Sequence, residues 1–102
     1  MITCHIRYVV DAEKLAEFEQ YCRMWLDLLP RFGGTHHGYF LPSEGESDIA
    51  LSLVSFPSLA AYEQYRKAAA NDPDVAKATA FARRTKCFRR YERSFFRPVL
   101  PA

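Results

Sequence analysis

The stretch ITCHIRYVVDAEKLAEFEQYCRMWLDLLP, residues 2–30, carries two periods in succession. Over residues 2–10 it alternates, with Ile2, Cys4, Ile6, Tyr8 and Val10 opposed to Thr3, His5, Arg7 and Val9, the two-residue period of a half-buried strand. After Asp11, a helix-capping residue, the period lengthens. Leu15, Phe18, Cys22, Trp25 and Leu29 recur at three- and four-residue steps, the stripe of an amphipathic helix that Pro30 stops. A strand that feeds a helix this directly opens a β-α-β unit.

Working outward, Gly33-Gly34 frees the backbone to reverse into a second strand, Thr35–Leu41. Residues 42–48, PSEGESD, form a hairpin loop, and Ile49–Phe56 alternates Ile49, Leu51 and Leu53 against Ala50, Ser52 and Val54 as a third strand. Pro57-Ser58 opens a helix carrying Leu59, Tyr62, Tyr65 and Ala69. Asn71-Asp72-Pro73 breaks it and starts another, with Val75, Ala78, Phe81 and Ala82 on its apolar stripe. Cys87–Pro98 alternates again, Arg89, Tyr91, Arg93 and Phe95 opposing Phe88, Arg90, Glu92, Ser94 and Phe96.

The order βαββααβ predicts an α+β, ferredoxin-like sandwich: a four-stranded antiparallel sheet in order 4-1-3-2 with its helices on one face. The other face would then carry large side chains, and strands two and four would be open edges. Both problems disappear if two copies pack sheet to sheet into an α-β barrel, so a homodimer is expected.

The 102 residues fit one domain, residues 1–102. Apolar residues at 49% and charged residues at 25% exclude disorder, and a net charge of +2 is too mild to demand a nucleic acid or an anionic membrane. Three cysteines without CxxC spacing argue against a disulfide framework. No leader-like opening and no apolar run near the ~20 residues of a membrane span are present, so a cytoplasmic chain without membrane insertion is expected.

His5, His36 and His37 are the only histidines. Strand neighbours point to opposite faces, so His36 and His37 cannot share an ion, and strand three separates His5 from strand two. No metal site within one chain is expected. Alternation places Thr35, His37 and Tyr39 on one face, His5 with Arg7, and Arg89 with Tyr91 and Arg93. If these sets line a polar pocket, His37, Tyr39 and His5 are the candidate catalytic residues. A histidine moves protons near neutral pH, and a tyrosine donates to a carbonyl or enolate oxygen. Arg7, Arg89, Tyr91 and Trp25 are the candidate substrate contacts, since arginine clamps a carboxylate. This set suits proton transfer or oxygenation on a small carbonyl or phenolic compound. Equally, these residues serve as interface or solvated groups. The aromatic stripe of Trp25, Phe18, Phe81, Tyr62 and Tyr65 either fills the core or bounds a cavity between helices and sheet.

Between Arg83 and Arg97 there are seven basic residues against Glu92 alone. Alternation divides them between two faces of one strand, which argues against a nucleic-acid stripe. No GxSxG elbow, no phosphate loop and no cofactor motif occurs.

Four segments, ITCHIRYVVDAEKLAEFEQYCRMW, RFGGTHHGYFLPSEG, FPSLAAYEQYRKA and YERSFFRP, resemble the NIPSNAP family of the dimeric α-β barrel superfamily in their order and spacing. The resemblance implies the barrel and the dimer but no established reaction. Mitochondrial relatives are associated with vesicle and mitochondrial quality control. Other barrels of the superfamily are cofactor-independent monooxygenases, haem-degrading oxygenases, haem enzymes and lactone isomerases, so the shared fold does not choose a chemistry. The expectation is a homodimer that binds a small, partly apolar organic molecule, as a cofactor-independent oxygenase or isomerase. The alternative is a non-catalytic interaction module that uses the basic last strand and the dimer surface. Haem binding stands on analogy alone.

Overall fold

In the computed structural model, which describes residues 1–102, the two periods of the opening stretch become strand β1 (Ile2–Val10) and helix α1 (Leu15–Leu28). They are joined by a 3-10 turn at Ala12–Lys14 whose cap is Asp11, accepting from the Glu13 N–H at 3.0 Å. Pro30 does not simply stop the helix. It enters a 3-10 turn, Leu29–Phe32, which Gly33 closes in the left-handed conformation.

Strands β2 (Thr35–Phe40) and β3 (Ile49–Phe56), helices α2 (Leu59–Ala69) and α3 (Pro73–Thr85), and strand β4 (Phe88–Phe96) follow. Ser58 caps α2 through the Ala61 N–H, and Asp72 caps α3 through the N–H groups of Asp74 and Val75. The sheet is antiparallel with order β2-β3-β1-β4, the expected ferredoxin-like arrangement. No helix is long and apolar enough to cross a membrane. The three cysteines are buried and unpaired.

Register decides which side chains meet the helices. Cys4 lies opposite Val54, Ile6 opposite Ser52 and Tyr8 opposite Ala50, and this is the buried side. On β3 the small Ala50 and Ser52 therefore face the helices, while Ile49, Leu51 and Leu53 occupy the outer side, where they are only half-buried. Phe40, opposite Leu51, and Phe96, opposite Thr3, extend that outer apolar surface and are exposed.

Two β-bulges change the alternation read from sequence. Along β2, His36 lies opposite Val54 and Gly38 opposite Leu53, so His37 is an extra residue. Gly38 has φ +115, a conformation glycine adopts at little cost. Along β4, Arg90 lies opposite Val9 and Phe88 opposite Val10, so Arg89 is extra. Beyond each bulge the faces swap. Tyr39 joins His36 on the helix side rather than His37, and Phe88 shares the side of Tyr91 instead of opposing it.

The core forms three clusters, around Phe18 with Tyr8 and Cys22, around Leu28 with Ala78, and around Leu29 with Phe56. Trp25 packs against all three.

Candidate functional site

A cavity of about 540 Å³ lies between the sheet and the helical layer, next to Trp25. Its size suits a small organic ligand. The floor is Cys4, Ile6, Tyr8, Ser52 and Val54; α1 supplies Tyr21 and Trp25, α2 supplies Tyr62, Tyr65 and Arg66, β2 supplies His36 and Tyr39, and β4 supplies Phe88, Tyr91 and Arg93. Small side chains at Ser52 and Ala69 help to leave the space unfilled. On the β4 side the helices give little cover. Tyr91 and Phe95 share the side of buried Tyr8 and Cys4, yet are 47% and 42% exposed, which marks the mouth.

Three buried polar atoms in the molecule have no hydrogen-bond partner, Trp25 Nε1, His36 Nε2 and Ser52 Oγ, and all three residues line this cavity. Buried polar groups are seldom left so, because each costs about 1–3 kcal/mol. The state of His36 follows from its other nitrogen. The Gly38 N–H donates to Nδ1 at 2.9 Å, so Nδ1 is the acceptor and Nε2 of the neutral ring carries the proton. Burial, with the neighbouring His37, lowers the pKa of His36 to about 4, which keeps the ring neutral at physiological pH. Its ring packs on Tyr39 at 4.7 Å between centroids.

Four tyrosines of the cavity are held protonated. Burial raises Tyr8 and Tyr39 well above the usual phenol range and brings Tyr21 and Tyr65 to about 12. The nearby indole N–H of Trp25 tempers the rise at Tyr21 without reaching hydrogen-bond geometry. Cys4 and Cys22 are pushed up by burial, so neither is a ready thiolate. The cavity thus presents N–H and O–H donors and no carboxylate.

Of the residues singled out in the sequence, Tyr39, Tyr91 and Trp25 meet in this cavity. His37 and His5 do not. They lie on the outer side of the sheet, in a shallow recess shared with Leu53, Phe96 and Leu100. There His37 Nε2 is 2.7 Å from Ser55 Oγ, which is 2.8 Å from Thr3 Oγ1. The set Thr35–His37–Tyr39 is therefore split by the β2 bulge. Arg89, the extra residue of the β4 bulge, is separated from Tyr91 and Arg93 and lines neither space. Arg7, opposite Leu51 and Glu92, also lines neither. His36, Ser52 and Arg66 were not foreseen as site residues. A glycine inside a strand, Gly38, was the signal for the bulge that turns His36 and Tyr39 inward together.

The NIPSNAP family profile matches residues 5–101. Among solved structures, a NIPSNAP family protein of unknown function from Agrobacterium tumefaciens superposes with TM-score 0.83 at 16% identity, over 96% of this chain and 87% of that one. An uncharacterised NIPSNAP domain protein from Burkholderia xenovorans gives 0.80 at 19% identity, over the whole of both chains. A putative antibiotic biosynthesis monooxygenase from Nitrosomonas europaea gives 0.75 at 9% identity, over 98% of this chain and 100% of that one. At these identities the likeness is one of fold. No curated protein matches the sequence.

Proposed function

The chain belongs to the NIPSNAP family, and from that premise we propose that it works as a homodimer in which each subunit binds a small, partly apolar organic molecule between its sheet and its helices. The observation that carries this reading is the convergence of three unpartnered buried polar atoms on one aromatic-walled cavity. A ligand with an acceptor oxygen would satisfy them, and the apolar walls would bury its body.

The dimer would use the outer face, where Leu51, Leu53, Phe40 and Phe96 form an apolar surface between two open strand edges. The donors of the cavity fit an oxygen that gains negative charge, as in an enolate or phenolate, and this is the chemistry of cofactor-independent oxygenation or isomerisation. The proton acceptor would have to come from the ligand or from solvent, because His36 holds its proton at Nε2 and Tyr8, Tyr21, Tyr39 and Tyr65 stay protonated.

Reading the basic last strand as a protein-recruiting surface has less support, because its cations are divided. Arg93 lines the cavity while Arg90 pairs with Glu92 at 2.7 Å. Native mass spectrometry of freshly purified protein, set against its denatured mass, tests the proposal. A dimer with a reproducible extra mass per subunit is expected; a stable monomer defeats the dimer, and failure of every small aromatic or aliphatic compound in a screen to bind defeats the cavity reading.

A further inference from the structure

The charge of the cavity wall is one-sided. Arg66, Arg83, Lys86 and Arg93 line it, and no aspartate or glutamate does. None of the four lies within 4 Å of a carboxylate, so no acid of the chain neutralises the wall. Arg66 spends one N–H on the Tyr62 hydroxyl at 3.1 Å, and Arg93 stacks over the Tyr91 ring at 5.3 Å, which leaves most of both guanidinium forks free.

These two arginines converge although they come from different layers, Arg66 from α2 and Arg93 from β4. Both act on Cys4 and both act on Tyr65, in each case against the upward push of burial. They stand on the β4 side, by the mouth, and the N–H groups of Trp25 and His36 line the same space.

Resting on the cavity reading above, we propose that the ligand is an organic carboxylate whose charged end is gripped by Arg66 and Arg93 and whose apolar body carries an acceptor oxygen toward Trp25 Nε1–H and His36 Nε2–H. Two planar guanidinium groups match a carboxylate, fork to fork. A doubly charged phosphate would lose far more hydration among these aromatic walls, which offer it no cluster of backbone N–H groups. The fixed donor tautomer of His36 selects for an acceptor, such as a ligand oxygen, and against a ligand N–H at that point.

The test compares 6-methoxy-2-naphthoate, whose ether oxygen is the acceptor on the apolar body, with its uncharged amide, 6-methoxy-2-naphthamide, by titration calorimetry. It uses the wild-type protein, Arg66→Gln, Arg93→Gln and, as an outer-face control, Arg90→Gln. The expected result is that wild type and Arg90→Gln prefer the acid by about tenfold or more. Each cavity variant should lose most of that preference and bind the amide nearly as before. Arg93→Lys, which keeps the charge but not the fork, should fall between, and it preserves the test if Arg93→Gln fails to fold. Equal binding of acid and amide by the wild type overturns the carboxylate proposal and leaves the cavity reading intact, as does a preference that survives both glutamine variants. Binding of neither compound, nor of decanoate or decanamide, overturns both readings together.

Discussion

The backbone N–H of Gly38 donates to Nδ1 of His36 across 2.9 Å, and this single bond sets the chemistry of the ring. It holds a neutral histidine with its proton on the buried Nε2. Because the folded-state pKa, about 4, lies below the unfolded value of ~6.5, the folded form takes up fewer protons than the unfolded chain between these pH values. Stability is therefore complete above about pH 6.5 and is lost progressively down to about pH 4. His36→Gln keeps an acceptor for Gly38 and cannot ionise in this range. Its denaturant midpoint should fall less than that of the wild type between pH 6.5 and 4; parallel curves would show that His36 is not buried neutral.

Gly38→Ala isolates the bulge. An added Cβ would meet nothing nearer than Phe40 Cζ at 3.9 Å, so the penalty is backbone strain at φ +115 and not collision. A loss of about 1–3 kcal/mol is expected by equilibrium unfolding. If the strand relieves the strain by sliding one residue, Tyr39 leaves the cavity, which the amide and ring signals of Tyr39 would report.

Ser52 is 1% exposed and its hydroxyl has no partner. Ser52→Ala removes that debt, and the ligand-free protein should gain about 1 kcal/mol, a melting temperature higher by a few degrees. A ligand that uses the hydroxyl should bind the variant more weakly. A lower melting temperature would mean that the hydroxyl is satisfied in the folded protein.

Asp72 caps α3 and receives Arg31 at 2.7 Å, and these bonds, the backbone N–H of Val75 foremost, hold its carboxyl below the usual range. With the folded-state pKa depressed, its contribution is present above the ordinary aspartate pKa and is lost as the pH falls through the lower folded value. Thermal melts at neutral pH should rank wild type above Asp72→Asn, which keeps a capping oxygen, and that above Asp72→Ala.

For the proposed dimer, Leu53→Lys puts a charge at the centre of the outer face, opposite His5. Sedimentation should show a monomer that retains wild-type helix and strand content. A dimer of undiminished affinity would place the interface elsewhere.

The element order and both helix caps could be read from the periods along the chain, from Ser58 and from Asp72, since each depends on local period or capping chemistry. The site was only half legible. Trp25, Tyr39 and Tyr91 reach the cavity, but the faces of β2 and β4 depend on two bulges, and one inserted residue reverses every side chain beyond it. Gly38 announced the first bulge, whereas nothing in FRRYER marks Arg89 as the second. Arg66 was invisible for another reason: a basic residue on an amphipathic helix looks solvated until the sheet edge opposite is found uncovered.

Over Ile49–Leu53 of β3, the bulky residues point outward and the small ones toward the helices. The chamber is lined from this strand at positions 52, 54 and 56, and the proposed self-associating surface lies at 49, 51 and 53, with no position shared. Substitutions at the even-numbered residues would enlarge, shrink or repolarise the chamber and leave the proposed dimer face untouched. One eight-residue strand would thereby let ligand choice and the proposed assembly drift independently.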